Sequence, residues 1–181
     1  MAPPFAAFRT VPVDRDVNAG RRVSRPPQRR LVGSSGTTYP RAMAGYSGTP
    51  LVRKLGIKDT HLVLLDGAPE GLDLGDLDGA LVVRRLPRAA DVTLTFHTAR
   101  ASLAKRLPTV FERTVTDGMV WACWPKRTAQ RSPRNPDGLV SDLDENWVRD
   151  LGLSLGFVDV KVAAIDEVWS GLKFVRRLAD R

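Results

Sequence analysis

The side chains of this chain that could do chemistry are few: two histidines, His61 and His97, a single cysteine, Cys123, and acids and bases spread along the sequence. Two isolated histidines and one thiol cannot assemble a His/Cys metal cluster, and one cysteine excludes an internal disulfide framework. Proton transfer is what remains open to them. His97 closes an apolar run and so stands at a strand end, where an imidazole with an ordinary pKa of about 6.5 suits general-base work. No nucleophile accompanies it in the sequence, so a local hydrogen bond is its expected role. Cys123 lies inside a run of large apolar residues and is expected in the core. Asp166 and Glu167 are adjacent; neighbouring side chains point apart on extended chain, so they are expected as turn residues.

A second set of residues is cationic. Arg84, Arg85, Lys126 and Arg127 each follow an apolar segment that reads as a strand. In an open α/β sheet, ligands bind beyond the carboxyl ends of the strands. That rule collects Asp66, Arg84, Arg85, His97, Thr98, Trp124, Lys126 and Arg127 along one rim as candidate ligand contacts. Guanidinium and ammonium groups suit a phosphate or carboxylate, and Trp124 can stack a base. An anionic small molecule or nucleotide is the expected ligand, with the loop at 125–140 closing over it. Arg84 and Arg85 alternate faces, which leaves a helix cap or plain solvation as the other role for one of them.

The elements that must position these groups follow from periodicity and punctuation. Thr49 and Pro50 look like the cap and first position of a short helix carrying Leu51, Val52 and Leu55 and stopped by Gly56. Residues 61–65 form a continuous apolar run, as expected for a strand buried on both faces of a parallel sheet. The Gly/Asp-rich stretch 67–79 allows one helical turn around residues 69–74 at most. Residues 80–85 and 91–97 read as two further strands, joined by a link short for a parallel crossover. Thr98 is expected to cap a helix through Arg106, restarted or kinked at Pro108 and running past Val110, Phe111 and Val115 to a turn at Asp117 and Gly118.

Residues 119–124 read as a central strand, and 125–140 as a long basic loop of the kind that is functional or disordered. Ser141 or Asp142 is expected to cap the next helix, with Asp144 and Glu145 in its first turn, Leu143, Trp147, Leu151 and Leu155 as the buried stripe and Gly156 closing it. Residues 158–165 and 171–177, separated by a short turn, predict an antiparallel hairpin.

Charge is unevenly distributed. Residues 1–42 hold eight arginines against Asp14 and Asp16, while 43–181 carry 20 basic and 18 acidic residues within a net charge of +8 for the whole chain. The leader, rich in Pro, Arg, Gly and Ser and without a sustained period, is expected to be disordered, or to lie upstream of a true start at Met43. Residues 43–181 then form the α/β domain. The longest apolar runs fall well short of the roughly 18 residues that a membrane helix needs. No apolar signal core follows the paired arginines, and the expected compartment is cytoplasmic.

In order of elements, residues 45–178 resemble the class I S-adenosylmethionine-dependent methyltransferase fold, a Rossmann-like, mostly parallel sheet ending in an antiparallel C-terminal hairpin, here in reduced form. The phrases Gly45-Tyr-Ser-Gly-Thr-Pro50, Trp124-Pro-Lys126 and Asp166-Glu-Val-Trp-Ser-Gly-Leu172 resemble a bacterial family built on a domain of unknown function. The methyltransferase resemblance implies an acid and spaced glycines after the first strand, and a carboxylate at the end of the second for the cofactor's ribose. Asp66 matches the acid. Ala68, Glu70 and Leu72 stand where the glycines belong, and Arg84 and Arg85 where the carboxylate belongs, so S-adenosylmethionine is disfavoured and no cofactor is expected. The resulting expectation is a non-catalytic binding or regulatory domain on a degenerate methyltransferase-like scaffold, recognising an anionic ligand or partner. The alternatives are a divergent S-adenosylmethionine-dependent methyltransferase, and a nucleic-acid binder using the basic leader and the 125–140 loop.

Overall fold

A computed structural model describes residues 49–181; the expected leader, and the part of the first phrase before Thr49, lie outside the described residues. The sheet has six strands in the order β2-β1-β3-β4-β6-β5. β1 is Leu62–Asp66, β2 Leu81–Val83, β3 Ala90–Phe96, β4 Thr114–Pro125, β5 Phe157–Ala164 and β6 Trp169–Arg176. β2, β1, β3 and β4 are parallel, whereas β6 pairs antiparallel with both β4 and β5. Parallel strands closed by an antiparallel hairpin is the architecture expected from the sequence.

Helices α1 (Leu51–Leu55), α2 (Arg100–Glu112) and α3 (Glu145–Ser154) complete the layers. On one face of the sheet Val63, Leu65, Val92, Leu94, Phe96, Trp121 and Cys123 pack with Val52 and Leu55 of α1 and with Leu74 of the loop after β1. On the other, Leu103, Leu107, Val110 and Phe111 of α2 and Val148 of α3 bury Val120, Ala122, Trp124, Leu172 and Phe174. Each large aliphatic side chain buried in this way contributes about 1.5–3 kcal/mol.

Several local expectations are corrected. Pro50 holds the cap position of α1, and no side chain caps it; Gly56, at φ +77°, ends the helix as expected. Residues 69–74 stay within the expected limit of one turn, with the Leu72 amide on the Pro69 carbonyl at 3.4 Å, while burial of Leu74 and packing of Leu72 and Leu77 against the same cluster hold the rest of the stretch down as an irregular strap. The short link between β2 and β3 is possible because β2 has only three residues. A strand of that length spans about 10 Å, so the chain has little distance to retrace.

α2 is one helix with Pro108 in its interior and ends at Glu112. Val115, Asp117 and Gly118, expected at its end, instead belong to β4. Thr114 pairs with Ala90 and Met119 with Val92, so the residues between bulge out of the ladder. Gly118 makes the bulge possible, since a Cβ there would lie 2.8 Å from the Asp91 carbonyl oxygen.

The helix caps differ from expectation in a related way. Ala99, not Thr98, precedes α2, and the Arg100 amide donates 2.7 Å to Asp142 Oδ1, 42 residues away. Asp142, expected at the start of α3, therefore caps α2, and Asp144 caps α3 by accepting the Trp147 amide at 3.0 Å. The buried stripe of α3 is correspondingly displaced: Val148 and Gly152 are buried, while Trp147, Leu151 and Leu155 are half-buried against the cluster.

Candidate functional site

The predicted rim divides into two pockets at the carboxyl ends of the parallel strands. The larger, about 860 Å³, lies beyond β4. Trp124, Lys126 and Arg127 line it, together with Gln130, Ser170 and residues 141–146. The smaller, about 460 Å³, lies beyond β1 and β3 and is lined by Asp66, Gly67, Phe96, His97, Ser102, Lys105, Arg106 and Thr109. Arg84, Arg85 and Thr98 line neither. Arg84 donates 3.3 Å to the Ala68 carbonyl, Arg85 is exposed, and the Thr98 carbonyl accepts the Asp142 amide at 3.2 Å.

The walls of the larger pocket are fixed by hydrogen bonds. Residues 125–140 are ordered by their own contacts: a 3₁₀ turn at Arg127–Ala129, the Arg131 amide on the Leu139 carbonyl and the Leu139 amide on the Ala129 carbonyl. Gly138 is required here, since a Cβ would lie 2.6 Å from the Gln130 carbonyl carbon. Gln130 Nε2 donates to the carbonyls of Pro125 and Leu143, tying the two ends of the loop together. The loop is thus a built wall, as in compact self-packed loops generally. Trp124 is only 6% exposed and packs in the core, so its contribution is an apolar wall and not a ring open for stacking. Lys126 Nζ donates 2.6 Å to the Asp166 carbonyl, which orients the ammonium at the pocket wall.

The acids of this pocket are structurally engaged. Asp142 caps α2; Asp144 caps α3 and pairs at 2.8 Å with Arg100, and Glu145 pairs at 2.7 Å with Arg149. The Trp147 amide and the Arg100 guanidinium hold the Asp144 carboxyl below its ordinary value. Arg127 is exposed at the pocket wall. Lys126 and Arg127 therefore face a surface whose carboxylates already have partners.

The smaller pocket is built from strand ends and α2. Asp66, Thr95 and His97 stand on the sheet face that α2 covers, and α2 sends Ser102 and Arg106 to meet them. Arg106 grips both Asp66 oxygens, Nε to Oδ2 at 2.9 Å and Nη2 to Oδ1 at 2.7 Å. Thr95 Oγ1 donates to Asp66 Oδ2 at 2.7 Å and lies 2.8 Å from His97 Nε2. His97 Nδ1 lies 2.8 Å from Ser102 Oγ. Burial pushes the Asp66 carboxyl up, but the hydrogen bonds from Arg106 and Thr95 and the Arg106 charge outweigh it and hold it below the ordinary value. Burial likewise holds His97 below the ordinary imidazole value, against the pull of Asp66 and with the help of Arg106. At neutral pH the site therefore contains a carboxylate, a guanidinium and a neutral imidazole.

The sequence placed Asp66 and His97 on a common rim but missed Thr95, Ser102 and Arg106. Alternation of Thr95 and His97 along a strand was a usable signal, because residues two apart share a face. The spacing of Ser102 and Arg106, four apart on a helix, was another. The expected turn at Asp166 is present: its Oδ1 accepts the amides of Val168 and Trp169, each at 2.7 Å. Cys123 is fully buried, and burial, with Asp166 adding to it, pushes its thiol well up. Among the described residues no group of three or more His, Cys, Asp or Glu side chains forms a metal site, and no helix is long and apolar enough to cross a membrane.

No protein-family model matches the sequence, and no curated protein matches it significantly. Solved structures do resemble it. They include the magnesium protoporphyrin IX methyltransferase of Synechocystis PCC 6803 with bound SAH, at 10% identity over 70% of this chain and 78% of that one, with a TM-score of 0.49. The pyocyanin biosynthetic protein PhzM is similar at 16% identity over 71% of this chain and 53% of that one, with a TM-score of 0.42. The ribosomal protein L11 methylase of Lactobacillus delbrueckii subsp. bulgaricus is similar at 11% identity over 70% and 74%, with a TM-score of 0.41.

Proposed function

We propose that this chain is a small-molecule-binding α/β domain whose pocket beyond β4 takes a polar anionic metabolite. The observation that carries this reading is the convergence of Lys126 and Arg127 on a pocket of about 860 Å³ whose carboxylates are already capped or paired. An anion entering there meets the exposed guanidinium of Arg127, with the Lys126 ammonium held beside it by the Asp166 carbonyl. Ser141, Asn146 and Ser170 on the same walls supply hydrogen-bonding groups for the rest of a polar ligand.

The residues beyond β1 do not fit S-adenosylmethionine, the cofactor that the methyltransferase resemblance implies. Both oxygens of Asp66 are held by Arg106, the strap after it is packed down by Leu72, Leu74 and Leu77, and Arg84 reaches across to Ala68. No carboxylate follows β2.

The test is a thermal-shift titration of the full chain with inorganic phosphate, nucleoside mono-, di- and triphosphates and small dicarboxylates, because a ligand selective for the native state raises the melting temperature. Arg127→Glu reverses a charge on the exposed side of the pocket and is expected to leave the unliganded stability within about 0.5 kcal/mol while abolishing the shift. Lys126→Glu is a poorer test, since it also removes the bond to the Asp166 carbonyl. An anion that stabilises the Arg127→Glu protein as strongly as the parent places the site elsewhere.

A further inference from the structure

With His97 neutral, the hydrogens of the network beyond β1 and β3 follow from one another. The Asp66 carboxylate only accepts, so Thr95 spends its one hydroxyl proton on Asp66 Oδ2. Thr95 Oγ1 can then only accept from His97, which fixes the imidazole proton on Nε2. Nδ1 is left as the acceptor, and the Ser102 hydroxyl donates to it across 2.8 Å. Arg106 holds the far end of the chain in place through two hydrogen bonds to Asp66. A serine hydroxyl on a neutral imidazole, whose other nitrogen is oriented through a third group, is the arrangement that activates a nucleophile.

We propose that Ser102 is a nucleophile, with His97 as its general base, for attack on a small acyl ester bound in the pocket beyond β1 and β3. This goes beyond ligand binding at β4 and rests on a different pocket. Ser102 is exposed to that pocket, and its volume of about 460 Å³ suits a short acyl group. In the step, the Ser102 Oγ–H proton passes to His97 Nδ1 as Oγ bonds to the carbonyl carbon. The tetrahedral intermediate collapses with cleavage of the bond to the alcohol oxygen, which takes the proton back from Nδ1. Water then attacks the acyl-serine, giving its proton to His97, and the acid leaves as Ser102 Oγ recovers that proton. The imidazolium formed in each half is stabilised by Asp66 acting through Thr95.

Lys105, three residues beyond Ser102 on the same pocket wall, favours the negative charge that develops. Thr95, Asp66 and Arg106 are positioning residues.

Labelling of the full chain with a fluorophosphonate probe, followed by intact-mass measurement and peptide mapping, tests this. Nucleophilic attack at phosphorus expels fluoride and leaves a stable serine adduct. One adduct at Ser102 is expected, absent in Ser102→Ala and slowed by about 10²–10⁴-fold in His97→Gln, the range a general base contributes. The labelling rate should rise with pH to a plateau whose midpoint lies below about 6.5, because burial of His97, with the Arg106 charge from α2 adding to it, outweighs the opposing pull of Asp66 from β1; Lys105 of α2 lines the same pocket. Thr95→Val should slow labelling and move that midpoint lower by uncoupling Asp66, and Thr95→Ser should restore both. Ser102 is exposed, so Ser102→Ala should melt like the parent. Absence of an adduct, an adduct on another residue, or labelling of His97→Gln at the parent rate each overturns the proposal.

Discussion

The two pockets sit at the same edge of one sheet, yet they handle charge in opposite ways. Beyond β4, the acids come from a loop and the start of α3 and are occupied by helix amides and exposed arginines, with Asp144 and its partner Arg100 about half exposed. Beyond β1 and β3, the charges come from strand ends and the middle of α2. There the Asp66 side chain is only 15% exposed and meets its guanidinium through two bonds. The first arrangement leaves the Arg127 guanidinium exposed at the pocket wall and suits exchange of a ligand. The second leaves a neutral imidazole and a hydroxyl facing the pocket, which suits a proton relay. Position at a strand end does not set the chemistry; what lies against the strand end does.

The sharpest separation of the two regions comes from α3, whose start walls only the larger pocket. Gly152 packs directly on Phe174, and a Cβ there would overlap the phenyl ring. Gly152→Val is expected to destabilise the chain by about 2–3 kcal/mol, the upper part of the range of about 1–3 kcal/mol for overpacking a core contact. A midpoint in chemical denaturation measures the loss. The His97 titration followed by NMR should be unmoved, and a displaced one would show that the two ends are mechanically joined.

Next in size is Asp66→Asn, which removes the charge from two hydrogen bonds to Arg106 and one to Thr95; about 1–2 kcal/mol is expected at neutral pH. The sign of its pH dependence follows from the lowered Asp66 carboxyl. A carboxyl depressed in the folded state stabilises above its unfolded value of about 3.9 and loses that contribution as the pH falls through its folded value. The stability gap between parent and Asp66→Asn should therefore close in acid. A gap that stays constant down to pH 2 would mean that Asp66 is not the titrating group. The smallest effect is expected from Glu145→Gln at the other pocket. Its ion pair with Arg149 is an exposed i,i+4 contact, worth about 0.3–0.5 kcal/mol, and Arg149 keeps Asp159 at 3.0 Å. A loss above 1 kcal/mol in a melting experiment would show that the outer charges there are more than solvated pairs.

Which parts were legible in advance follows from the range of the interactions involved. Apolar runs at residues 61–65, 91–97 and 119–124 determined β1, β3 and the paired part of β4, because burial on both faces leaves no room for polar residues. Gly56 and Gly156 determined two helix ends, and the short turn around Asp166 determined that the last two strands form a hairpin. These are local causes, written into neighbouring residues.

The tertiary structure alone decided the rest. Asp142 caps a helix 42 residues before it because the chain brings it there, and no local preference for a cap can encode that. Asp117 and Gly118, a turn signal by composition, became a bulge in β4 because Asp91 and Thr114 lie against them. The eight candidate rim residues were drawn from one rule about strand ends, but the rule cannot say that Lys126 would be held by Asp166 or that Arg106 would close on Asp66. Ser102 and His97 are five residues apart with a strand end and a helix start between them. Only the angle at which α2 leaves β3 turns that separation into a hydrogen bond, and packing of Leu103 and Leu107 against the sheet sets that angle.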